Sequence, residues 1–192
     1  MVGPVEGRPS VGEARLEETS SGLAPATDGW FAVNVRDAAW FTWEPLPARC
    51  VFESPDRRFP ELGIGLRVLR PGQPSGFYHA ESAQEDFLVL AGECLLLIEG
   101  EERRLRAWDF VHCPPGTPHI FVGAGEEPCV LLLAGARTPG RTIVYPVSEV
   151  ALRHGAGVEQ ETSKPAEAYA RFGKSRPGRP PDWDRLPWSE DR

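Results

Sequence analysis

Turn signals cut residues 62–134 into short apolar runs, and that rhythm limits the possible folds more than any other feature of the chain. Leu62, Ile64, Leu66 and Val68 alternate with Gly63, Gly65 and Arg67, the period of a half-buried strand, and Pro71-Gly72 ends it. Residues 87–90 and 94–98 are continuous apolar runs flanking Gly92-Glu93, and they read as a hairpin of two buried strands. Glu99-Gly100-Glu101-Glu102 forms the next turn, and residues 103–108 lead onward. Residues 110–113 are a short strand cut by Pro114-Pro115-Gly116-Thr117-Pro118; residues 119–122 and 129–134 follow, split by Gly123-Ala124-Gly125. Six or seven strands within about 75 positions is the spacing of a sandwich or small barrel. With 20 Gly and 20 Pro in 192 residues, long helices are excluded and an all-β fold is expected.

The flanks differ. Residues 1–28 are rich in Gly, Pro, Ser, Thr and Glu and read as a flexible leader. The barrel is expected over residues 29–146, with Val33 and Val35 in strand alternation. Residues 147–192 read as a C-terminal helical segment and docking tail. One short helix is predicted at 147–154, with Ser148 as N-cap and Gly155 as stop. A second is predicted at 166–172, behind Ser163 and Pro165. Trp183, Leu186 and Trp188 are costly to leave in water, so the tail is expected to dock on its own barrel or on a partner subunit. A homodimer is the expected assembly.

The net charge of −7 argues against nucleic acid as a partner. No run approaches the ~18 apolar residues of a membrane helix, and no apolar segment of a signal peptide opens the chain. Cys50, Cys94, Cys113 and Cys129 have no metal-knuckle spacing and read as free thiols of a cytoplasmic protein. Nineteen of the 21 basic residues are Arg, scattered along the sequence as coding bias would leave them.

The chemistry concentrates around two histidines. His79 and Glu81 share one face of an extended segment, Glu85 heads the next apolar run, and His119 heads another after a Pro-Gly turn. If those strands are neighbours, two imidazoles and one or two carboxylates meet at one interior point. Such a set suits Fe, Mn, Ni, Co or Zn and leaves positions open to a substrate.

The run from Pro71 to Gly123 resembles the cupin superfamily, whose fold is a double-stranded β-helix, or jelly-roll, barrel. In the first cupin motif His79 takes the first histidine position, Glu81 the second, Glu85 the glutamate, and Gly92 follows after six residues; Gly72 stands one residue further from His79 than usual. In the second motif Pro114, Gly116 and His119 match, while Trp108 and Gly123 replace Gly and Asn. Trp108 is expected to alter the turn before Asp109, because Trp takes φ > 0 only at a cost.

The resemblance implies one divalent metal held by His79, Glu85 and His119, with Glu81 as a fourth ligand, a neighbour of the ligands or a base. Tyr78, Phe87, His112 and Phe121 are candidates to contact a small-molecule ligand, with core packing as the plainer explanation of the aromatics; His112 could also be an extra ligand or proton carrier, with a hydrogen-bonded structural role as its plainer explanation. Two functions compete. One is a metal-dependent enzyme, dioxygenase- or isomerase-like, acting on a small oxygen-bearing organic molecule. The other is a non-catalytic binding or sensing cupin.

Overall fold

The computed structural model describes residues 11–188. Strands β1 (Leu16–Thr19) and β2 (Gly22–Pro25) form a hairpin within the stretch expected to be a flexible leader. Residues 1–10 of that stretch lie outside the described residues. The barrel strands then run β3 (Ala39–Trp43), β4 (Leu46–Val51), β5 (Leu62–Leu69), β6 (Ala80–Glu81), β7 (Glu85–Ala91) and β8 (Glu93–Ile98). They continue through β9 (Glu101–Arg106), β10 (Phe110–Cys113), β11 (His119–Ala124), β12 (Cys129–Ala136), β13 (Ile143–Val144) and β14 (Arg176–Pro177). Val33 and Val35 lie outside any strand, so the first barrel strand begins later than their alternation suggests.

One sheet has the order β10-β7-β12-β5-β4-β3-β14, and the facing sheet has the order β11-β8-β9. A backbone bridge from His79 to His119 joins the small β6–β13 pair to the second sheet. Within the two facing sheets the strand pairings are antiparallel, which is the jelly-roll layout.

Gly92 does not turn a hairpin. β7 pairs with β10 and β12, whereas β8 pairs with β11 and β9, so the chain crosses between sheets at this residue. Gly92 has φ +70, and a Cβ there would stand 2.4 Å from the Pro128 carbonyl oxygen. Both flanking runs look alike in sequence because each packs apolar side chains on both faces. The true hairpin is β8–β9, where Glu99 (φ 50) and Gly100 (φ 79) supply the two positive φ angles of a type I′ turn.

The interior between the sheets is filled by Phe87, Val89, Cys94, Leu96, Phe121 and Leu131. A second apolar layer lies outside the larger sheet. There Leu132, Leu66, Cys50 and Trp40 stand in register on successive strands, and the C-terminal tail covers them. Trp183 and Trp188 each place a ring 5.5 Å from that of Trp40, and Leu186 is buried between the tail and the sheet. The tail thus docks on its own barrel, as its apolar content requires.

Helix α1 (Glu149–Arg153) forms as expected, with Ser148 Oγ accepting from Ala151 N at 3.3 Å. Helix α2 (Pro165–Ala168) is shorter than predicted, and Ser163 does not cap it. Instead Thr162 Oγ1 accepts from Lys164 N at 3.1 Å, and Phe172 leaves the helical path to stack on Phe77.

Trp108 does not alter its turn. It adopts φ 77 with its ring exposed, while its N–H donates to Val89 O at 2.7 Å. Asp109 Oδ2 accepts from Arg106 N at 2.9 Å. These contacts hold a conformation that costs an L-residue about 1–2 kcal/mol.

Candidate metal centre

His79 stands just before β6, Glu85 is the first residue of β7 and His119 the first of β11. Three chain segments therefore begin at one end of the barrel with a ligand-type side chain. Glu85 Oε2 lies 3.7 Å from His79 Nε2 and 3.7 Å from His119 Nε2. The three ligand atoms all lie within 4.8 Å of one another. A separation of 3.7 Å is too long for hydrogen bonds, yet small shifts would place three donors around one ion at about 2.0–2.2 Å.

The other ring nitrogens fix the orientation. His79 Nδ1 is 2.7 Å from Phe77 O, and His119 Nδ1 is 2.9 Å from Thr117 O. A carbonyl only accepts, so each Nδ1 carries hydrogen and each neutral ring presents its Nε2 lone pair to the common point. His119 Nε2 is buried and has no hydrogen-bond partner, an orphaned acceptor that a cation would satisfy.

Electrostatics sort the three groups. Burial pulls the His79 pKa down, but the Glu85 carboxylate outweighs it and the net shift is upward. Burial, reinforced by the neighbouring His79, lowers that of His119 and favours its neutral form. Burial acts to raise Glu85, but the two imidazoles hold it below the usual carboxylate value. An anionic carboxylate beside two imidazoles is a set of donors that suits a divalent ion.

Glu81 is not one of the three grouped residues. Its carboxylate pairs with Arg141 at 2.9 Å, beside the three-residue group rather than within it. Burial and the Glu85 charge raise its pKa, partly offset by Arg141.

The aromatic candidates divide. Phe87 stands with its ring 5.1 Å from that of His119 and 4.6 Å from that of Phe121, so both phenyl groups wall the site. Tyr78 and His112 are not brought to it. Tyr78 faces away from its neighbour His79, packs with Leu97, Ile120 and Ala151 beneath α1, and its hydroxyl accepts from Gly100 N at 3.3 Å. His112 shares parity with exposed Phe110 on the outer face of β10, where its Nδ1 lies 2.6 Å from Asp86 Oδ1.

A cavity of about 550 Å³ opens beside the group and reaches Glu85. Its walls include Gly63, Gly65 and Gly135 together with Arg49, Arg58, Arg67, Arg137 and Arg141. Sequence reasoning passed over these residues, although β5 carried a signal. Its Gly63, Gly65 and Arg67 face the cavity, while Leu66 and Val68 point outward beneath the tail.

The fold is a jelly-roll β-barrel, and His79, Glu85 and His119 gather within it. Residues 65–135 match the family model described as Cupin domain. A sugar phosphate isomerase of the cupin superfamily from Silicibacter pomeroyi is similar at 22% identity, over 58% of this chain and 79% of that one, with a TM-score of 0.50. KdgF from Halomonas sp. is 25% identical over 58% of this chain and 97% of that one, with a TM-score of 0.49. A protein of Acidithiobacillus ferrooxidans, provisionally named a sugar phosphate isomerase, is 29% identical over 43% of this chain, with a TM-score of 0.42. The chain spans about half the length of that last protein, 55%. No curated protein matches the chain. Among the described residues, no helix is long and apolar enough to cross a membrane.

Proposed function

We propose that the chain binds one divalent metal ion through His79, Glu85 and His119 and acts as a metal-dependent enzyme on a small oxygen-bearing organic molecule. The observation that carries this reading is the convergence of His79 Nε2, His119 Nε2 and Glu85 Oε2 on one point, with the His119 nitrogen otherwise unpartnered. Three protein donors on one side leave positions open for a substrate, which a purely structural site would fill. An ion held there supplies Lewis acidity, and redox chemistry if it is iron or manganese. The backbone carbonyls of Phe77 and Thr117 fix the imidazoles, and Phe87 and Phe121 exclude water from the inner side. Glu81, adjacent to the centre and held by Arg141, is the group placed to carry a proton.

The test is metal analysis of the native protein, followed by oxygen uptake and product formation in the iron, manganese, nickel, cobalt and zinc forms. Stoichiometric metal with turnover by one form supports the reading. Stoichiometric metal with no turnover across a broad panel, but with ligand bound, favours a binding or sensing role.

A further inference from the structure

The cavity beside the metal centre is cationic inside an acidic protein. Five arginines line it against two glutamates, Glu53 and Glu85, while the whole chain carries a net charge of −7. Arg137 is neutralised by Glu53 at 2.6 Å, and Arg141 by Glu81 at 2.9 Å. Arg49 and Arg67 are different. They stand directly opposite each other on β4 and β5, both facing the cavity. Among the described residues neither forms an ion pair with a carboxylate.

Their other contacts are weak ones. Arg67 Nη1 reaches only the Leu66 carbonyl, at 3.3 Å, and Arg49 lies over the Phe41 ring at 5.5 Å. Arg49 Nε is buried without a hydrogen-bond partner. Burial, with Arg49 beside it, pushes the Arg67 pKa down to about 10. Like charges opposed across a ladder destabilise it, and buried unpaired donors add to that cost. Two guanidinium groups in such a place are suited to clasp one planar or tetrahedral oxyanion between their forks. Gly63 and Gly65 of β5 and Gly135 of β12, which carry no side chains of their own, form the cavity wall beside Glu85.

We propose that Arg49 and Arg67 form an oxyanion subsite, so that the substrate is a small anion with a carboxylate or phosphate group. That group is held at the arginines while oxygens elsewhere on the molecule face the metal centre; only this second half rests on the metal-site reading above.

The test is calorimetric titration of the full-length chain, after chelator treatment, with inorganic phosphate and separately with malonate at low ionic strength. At least one anion is expected to bind, and Arg49→Gln and Arg67→Gln should each weaken it at least about tenfold. Arg103→Gln, on the exposed face of β9, should leave binding unchanged. Binding of phosphate alone or malonate alone identifies the anion type. Absence of binding by the native chain, or binding retained in both cavity variants, overturns the proposal. If Arg67→Gln fails to fold, Arg49→Gln decides. Because no metal is present, the outcome is independent of the metal reading: His79→Ala should abolish metal binding and spare the anion.

Discussion

His79 and His119 are hydrogen-bonded to each other through their backbones in both directions, His79 N to His119 O at 3.2 Å and His119 N to His79 O at 2.9 Å. The spacing of their imidazoles, 5.2 Å between ring centroids, is therefore set by a two-way backbone bridge rather than by side-chain flexibility. Both rings are locked a second time at Nδ1. The two imidazoles are thus held in place by the chain's own backbone.

Removing a ligand should therefore abolish binding rather than rearrange it. His79→Ala, His119→Ala and Glu85→Gln are each expected to weaken the metal by more than about a hundredfold, read as metal content after dialysis. Glu81→Gln should weaken it by no more than about tenfold to a hundredfold, since Arg141 already holds that carboxylate. Equal loss in Glu81→Gln and Glu85→Gln would make Glu81 a ligand.

Glu53 should make stability depend on acid pH. Burial acts to raise its pKa, but the bidentate contact from Arg137 outweighs this and the net shift is downward from about 4.5. A depressed folded-state pKa contributes stability that is complete above the unfolded value and is lost as pH falls through the folded value. Melting curves between about pH 3 and 6 should show this fall in the native chain and a shallower one in Glu53→Gln. Parallel curves would remove Glu53 from the acid response.

Trp108→Gly should stabilise the protein. The residue has φ 77 and an exposed ring, so glycine relieves strain and forfeits little burial. A gain of about 1 kcal/mol, or a rise in Tm of roughly 2–4 °C, is expected by calorimetry. A lower Tm would mean that the indole contributes more than its exposure suggests.

Leu186→Ala should act in the opposite sense. Leu186 is buried between the tail and the outer sheet, and its truncation should cost about 2–4 kcal/mol. Metal content should be unchanged, because the tail covers the face of the sheet opposite the centre. Loss of metal together with stability would show that the two layers are coupled.

The positions of His79, Glu85 and His119 could be read from spacing because each stands beside a turn or at a strand head, where local sequence fixes the geometry. The β8–β9 hairpin was legible for the same reason: Glu99-Gly100 is a local signal. The Gly92 crossing was not, since the choice between pairing with the adjacent strand and leaving for the other sheet depends on partners distant in sequence. That Tyr78 and His112 stand away from the centre could not be read for a related reason. A segment's parity says which residues share a face, but not which face is inside. The arginines were hardest to read, because their scatter along the chain carries no hint that five of them meet at one cavity.

The glycines of that cavity set a size filter. A methyl at Gly65 would stand 2.6 Å from the Cys50 carbonyl oxygen, so this position has no room for growth without moving a strand. At Gly135 the nearest atom would be the Glu85 Cγ at 3.7 Å, an ordinary contact. The wall is thus fixed on one side and adjustable on the other. The adjustable side lies against a candidate ligand, so any narrowing of the chamber by substitution at Gly135 would also be felt at the metal centre.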